Sequence, residues 1–247
     1  MVAALAITTL ALAGCGAGTV SRARAARHSV VVLAASSLTE ALTAIAGDFE
    51  ASHPGTDVQL SFAASSTLVA QVNQGVPADL VALAGNSSMV TLQKSRVAGD
   101  GVRTMAANTL EIATPPDNPG KVNALADLSR PTLQVVLCAA TAPCGEAAAK
   151  TLVAAGVLAH VVSYETDVKA TLAKVQLGEA DAAIVYHSDV VSAGKRVHGV
   201  AIPAPVNQRL DYPLIRLTSD SGAVDFMTYV LSDHGRRYLR DHGFLTP

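Results

Sequence analysis

The chain reads as an α/β protein built of parallel sheets with helices on both faces. Three observations predict this. Short runs rich in Val, Ile and Leu alternate with stretches whose apolar residues recur at helical spacing. Half of the 247 residues are hydrophobic and only 15% are charged, enough for a sizeable core and too apolar for disorder. The alternation also runs through twice, with Pro-rich segments near 115–119 and 203–205. Two lobes joined by two crossings, or one continuous doubly wound sheet, would each produce that pattern.

Each element has a local reason. Residues 29–34 (SVVVLA) form the first buried strand, and Leu38, Ala41, Leu42, Ile45 and Phe49 then share one helical face. Residues 56–62 alternate as a strand should. Leu68 and Val72 begin a second helix closed by Gly75. Residues 79–84 are a third strand, and a short strand at 110–114 leads into Pro115-Pro116. The run 133–138 (LQVVLC) repeats the buried-strand pattern before an Ala-rich helix over 144–155, ended by Gly156. Val168, Leu172 and Val175 mark a helix ended by Gly178, followed by a strand at 181–186. A single helix over 224–241 closes the chain, with Phe226, Val230 and Leu231 on one side.

A net charge of −2 gives no basic face for nucleic acid. The basic residues that cluster, Arg22, Arg24, Arg27 and His28, precede the first strand and read as a solvated tether over 16–28. Residues 1–15 read as an export signal. Its apolar stretch is too short to span a bilayer and ends in Leu12-Ala13-Gly14-Cys15, which looks like a lipobox. Cys15 is thus the expected lipidation site and the membrane anchor. The basic segment that usually opens such a signal is absent from residues 1–14. In an oxidising compartment the two remaining cysteines, Cys138 and Cys144, are expected to pair. Zinc would need further His or Cys ligands at metal spacing, and none is there.

Ligands of open α/β sheets bind beyond the carboxyl ends of strands. Five segments hold such positions: Ser36-Ser37, Ser65-Ser66, Pro143-Cys144-Gly145, Thr166-Asp167-Val168 and Ile184-Val185-Tyr186. They offer hydroxyls and first-turn amides with no Lys or Arg, a donor set that fits a desolvated anion. Taken singly, each has a plainer role. Ser37-Leu38-Thr39-Glu40 spells a capping box and Ser65 is a good N-cap residue. Val168 would be core, and Tyr186 a half-buried aromatic. A capping hydroxyl can still donate its proton outward.

The chain resembles the ModA family of extracytoplasmic molybdate-binding proteins of ABC importers. The stretches that carry the resemblance are AASSLTEAL (34–42), SFAASSTLVAQV (61–72), GVPADLVALAG (75–85), APCGEAAAKTL (142–152), TDVKATLAKVQLGEADAAIVYHSDV (166–190) and YPL (212–214). The resemblance implies a two-lobed, type II periplasmic-binding-protein-like fold that closes on its ligand. One lobe would comprise 29–109 with 207–247, the other 110–206. It places the oxyanion ligands on Ser37 and Ser65 (hydroxyl and amide), Cys144 and Val168 (amide) and Tyr186 (phenol), with Ser36 and Ser66 as additional hydroxyls. Molybdenum would be held as the oxyanion, with no direct metal ligand and no cofactor. The implied partners are an ABC permease with a cytoplasmic ATPase, the binding protein itself being monomeric.

Fixed donors favour the longer metal–oxygen bonds of molybdate and tungstate over sulfate or phosphate. A proton on phosphate would also need an acceptor, which these groups scarcely supply. A sulfate or phosphate receptor is the nearest rival. A serine hydrolase using Ser36 or Ser37 is a remote one: no G-x-S-x-G elbow exists, and His187-Ser188-Asp189 are sequence neighbours that cannot form a triad among themselves.

Overall fold

The computed structural model describes residues 28–95 and 99–247. The expected export signal, Cys15 and the expected tether through residue 27 lie outside them. His28, the last residue of the expected tether, instead opens the first strand.

Nine strands and eight α-helices alternate among the described residues. The order is β1 (His28–Ala35), α1 (Thr39–Ser52), β2 (Thr56–Ala63), α2 (Ser65–Asn73), β3 (Leu80–Ala82), α3 (Asn86–Lys94) and β4 (Asp100–Thr114). There follow β5 (Val135–Cys138), α4 (Pro143–Ala155), β6 (Val161–Glu165), α5 (Val168–Gln176), β7 (Ala182–Tyr186) and α6 (His187–Ala193). The chain ends with β8 (His198–Ala201), β9 (Arg209–Arg216), α7 (Ser221–Leu231) and α8 (Asp233–Asp241).

The strands lie in the order β2-β1-β3-β9-β4-β7-β5-β6, with β8 beside β4. The outer pairings are parallel, as expected. The middle is not: β9 runs antiparallel to β3 and β4, and β4 runs antiparallel to β7. Strand β4 is the spine. It pairs with β9 from Asp100 to Thr109, then leaves it for β7 at Leu110–Ala113 and β8 at Glu111–Thr114. Asn207 fastens this switch, its amide bonding both the N–H and the C=O of Leu110 at 2.9 and 2.8 Å.

Separate cores lie on either side of the switch, giving two lobes. In the first lobe β1 is buried on both faces. Val30 and Val32 pack with Leu42, Ile45, Phe49 and Phe226 on one side. Leu33 packs with Leu68, Val81 and Leu92 on the other. The second lobe gathers Ile112, Val135, Ile184 and Val185 of its sheet against Ala148, Leu172 and Val175 of α4 and α5.

Several elements depart from the sequence expectation for identifiable reasons. The strand expected at 110–114 is only the end of a 15-residue strand that begins among the exposed Gly101, Arg103 and Thr104. Strand β9 carries Pro213, which cannot donate to a ladder; it faces the irregularity in β4 between Thr104 and Ala106. Edge strand β6 turns Val162 and Tyr164 outward, hiding its alternation. The expected helix 224–241 is two helices, broken at Ser232, whose hydroxyl accepts from the Gly235 amide to start α8.

Candidate ligand-binding cleft

Five polypeptide ends converge where the lobes meet. The carboxyl end of β1 runs through a 3-10 turn, Ser36–Leu38, into α1. Helix α2 starts at Ser65, α4 at Pro143 and α5 at Val168, while β7 ends at Tyr186. Ser36, Ser37, Ser65, Cys144, Asp167, Val168 and Tyr186 line one tight cleft with a free volume of about 10 Å³. Ser66 is exposed and lines a neighbouring groove with Ser87 and Thr141 instead.

The capping roles that explain the serines locally are absent. Neither Ser37 nor Ser65 caps a helix; the N-cap positions are Leu38 and Ala64, without side-chain bonds. Ser65 is itself the first residue of α2, and its Oγ accepts from the Ala84 amide at 2.9 Å. Ser37 Oγ lies 2.9 Å from the Tyr212 hydroxyl. Both side chains are buried, at 3% and 1% exposure for Ser37 and Ser65, in a position local helix chemistry does not require.

Backbone amides supply the rest. The first N–H groups of a helix have no partner inside it. The amides of Ser37, Ser65, Cys144 and Val168 stand at such positions, and none reaches a backbone carbonyl among the described residues. On α5 the Asp167 carboxylate takes the Lys169 and Ala170 amides at 2.8 and 3.0 Å, leaving that of Val168. A disulfide joins Cys138 at the end of β5 to Cys144 in the first turn of α4, with Cα atoms 5.8 Å apart. Gly145 beside it is a steric necessity, since a Cβ there would meet the Ala139 carbonyl oxygen at 2.1 Å.

Tyr186 completes the ring. Its hydroxyl is buried and has no partner at hydrogen-bond distance among the described residues. Its ring stands edge-on to Tyr212, centroids 6.1 Å apart. Burial, with Tyr212 and Asp189 nearby, raises the phenol well above its ordinary pKa, so it stays protonated and keeps a proton to donate.

Charge is held one layer back. Lys169 Nζ pairs with Glu40 of the first lobe at 2.7 Å and with buried Asp189 of the second at 3.0 Å. Burial alone would lower the Lys169 ammonium, but the Asp189 and Glu40 carboxylates outweigh it and raise it. Burial raises Asp189 to about 6 against the pull of Lys169. The neighbours His187, Ser188 and Asp189 face three different partners: Glu111, Asn108 and Lys169. A larger groove nearby, about 230 Å³, is lined by Glu146, Lys150, Arg209 and Asp211 among others. Its charges pair among themselves.

Lys169, Asp189, Asn108 and Tyr212 were not legible as site residues. Lys169 and Asp189 fall within the 166–190 stretch and Tyr212 within YPL at 212–214, but no residue-level pattern marks them, and Asn108 lies in none of the stretches that carry the resemblance.

A two-lobed α/β fold with a donor-lined cleft between the lobes defines a solute-binding protein. The family model for bacterial extracellular solute-binding proteins matches residues 30–245. A molybdate-binding protein ModA from Mycobacterium tuberculosis is 38% identical over 223 residues, covering 89% of this chain and 85% of that protein. The chain therefore belongs to the ModA family of bacterial extracellular solute-binding proteins. Two solved structures share the fold. The Azotobacter vinelandii periplasmic molybdate-binding protein superposes with TM-score 0.78 at 20% identity, covering 88% of this chain and 99% of that one. The sulfate-binding protein SubI from Mycobacterium tuberculosis gives 0.77 at 19%, covering 88% and 86%. The fold alone thus does not choose the anion.

Proposed function

We propose that the cleft captures molybdate or tungstate outside the cytoplasm and delivers it to an ABC permease with a cytoplasmic ATPase. The hydroxyls and amides of Ser37 and Ser65, the amides of Cys144 and Val168 and the Tyr186 phenol would hold the oxyanion, with Ser36 at the rim. Tyr186 carries the reading: a buried phenol with no partner, facing first-turn amides that also lack one, is costly unless an acceptor arrives. A tetrahedral dianion supplies acceptors on every side. Hydrogen bonds to a charged group contribute about 1.5–3 kcal/mol each, so such a cage supports tight binding after desolvation and closure are subtracted.

The names of the relatives support molybdate over sulfate, the nearest rival. In this reading no bond is made or broken, and the protein is not an enzyme. The lobes comprise 29–109 with 207–247, and 110–206, hinged where β4 changes partners. Lipidation at Cys15 would anchor a monomer to the outer face of the membrane; among the described residues no helix is long and apolar enough to cross one.

Titration calorimetry of the purified protein with molybdate, tungstate, sulfate and phosphate tests this. One-to-one binding of the first two and silence from the others is the expected result. Heat from sulfate or phosphate alone would keep the fold and remove the ligand assignment.

A further inference from the structure

Ser37 has a partner behind the cleft that fixes which way its proton points. The Tyr212 hydroxyl, fully buried, lies 2.9 Å from Ser37 Oγ. On the other side of that hydroxyl sits Asn108, equally buried, with Nδ2 at 2.7 Å from Ser188 Oγ and 3.5 Å from the Tyr212 oxygen. The far end of the amide sets its orientation. Asn108 Oδ1 accepts from the backbone N–H groups of Thr109 and Ser188 at 3.0 and 3.4 Å. Nδ2 can only donate. Asn108 thus offers the Tyr212 oxygen a donor, and Ser37 Oγ at 2.9 Å stands as the acceptor for the Tyr212 proton. Ser37, having accepted, turns its proton to the cleft. Ser65 reaches the same polarity by another route, through the Ala84 amide.

We propose that Tyr212, held by Asn108, is a specificity-determining positioning residue that locks Ser37 as a donor, so that the cleft admits fully deprotonated oxyanions and rejects protonated ones. The inference rests on the oxyanion reading above. Tyr212 does not line the cleft; it meets Ser37 through its hydroxyl and Tyr186 only through the edge of its ring, which Tyr212→Phe keeps. With both serines and the first-turn amides donating, a proton on the anion would meet a donor at each of these positions, and the Asp167 carboxylate beside them is already engaged by the Lys169 and Ala170 amides. Molybdate and tungstate carry no proton near neutral pH, whereas phosphate and arsenate do. Without Tyr212 the Ser37 hydroxyl could rotate and accept.

The test is Tyr212→Phe, which keeps the buried ring, alone and combined with Ser37→Ala, titrated with molybdate and with arsenate near neutral pH. Tyr212→Phe is expected to weaken molybdate about tenfold and to narrow its advantage over arsenate. In the Ser37→Ala background the same change should cost nothing further. Equal losses in both backgrounds, or a loss with the molybdate-to-arsenate ratio unchanged, would overturn the proposal and leave Tyr212 a packing residue. Wild-type protein that binds neither anion would instead bring down the oxyanion reading on which the proposal stands.

Discussion

The two lobes face the same cleft with different chemistry. The first presents side chains: Ser37 and Ser65, buried hydroxyls held from behind by the Tyr212 hydroxyl and by the Ala84 amide. The second presents mostly backbone, the amides at Cys144 and Val168 that open α4 and α5, and one phenol. The first half is thus specified by residue type and the second by where helices begin. In the proposed reading a cysteine and a valine can stand at an anion site because their side chains need do nothing there.

Substitutions should separate the halves. Ser65→Ala removes a hydroxyl donor and leaves the Ala84 amide without its acceptor. It should weaken molybdate by up to about a hundredfold, read by calorimetry. A loss below threefold would mean the hydroxyl does not reach the ligand. Across the cleft, Val168→Ala should be nearly silent because the amide survives. Val168→Pro deletes that amide at the first helical position, where proline is tolerated, after an Asp167 already extended at φ −154° and ψ 175°. It should cost about tenfold in affinity with little loss of helix. Equal behaviour of the Ala and Pro variants would break the claim that the second lobe binds through its backbone.

The disulfide belongs to the backbone half. Replacing Cys138 and Cys144 together by alanine leaves the amide at 144 but frees the loop that aims it. Stability should fall by about 2 kcal/mol in denaturant titrations, the loop being short. Affinity should fall less than for Val168→Pro. Unchanged stability would show that the turn is held without the bond, by the tight approach at Gly145.

The same division explains how much was readable in the chain. Strands β1, β5 and β7 announced themselves as buried apolar runs, and α4 and α5 by a glycine just beyond each end. Strand β9 was hidden by Pro213, and the spine β4 by Gly101, Arg103 and Thr104 near its start. In the cleft, Ser37 and Ser65 stood out by residue type, although the capping first suggested for them proved absent. Cys144 and Val168 have no chemical signature beyond a helix start, and only the family resemblance marked them. The Asn108–Tyr212 contact joins residues 104 positions apart, and no local pattern encodes such a pairing.

A smaller effect tests the charge behind the second lobe's half of the cleft. Asp189 is fully buried, accepts from the Tyr186 amide at 3.3 Å and pairs with Lys169, which also reaches Glu40 across the lobes. Burial outweighs Lys169 and lifts its pKa from 3.8 to about 6. An acid whose folded pKa is raised binds more protons folded than unfolded between those values. Its contribution to stability is full below pH 3.8 and is lost as the pH rises through about 6. Asp189→Asn carries no such titration. The stability of wild type minus that of the variant should therefore decline from about pH 4 to about pH 7 and then level off, in urea titrations at matched salt. A difference that grows with pH would mean that the ion pair with Lys169 dominates burial. The charge behind Tyr186 would then hold the second lobe together, and the contrast with the first lobe, whose support is all neutral hydrogen bonds, would be sharper still.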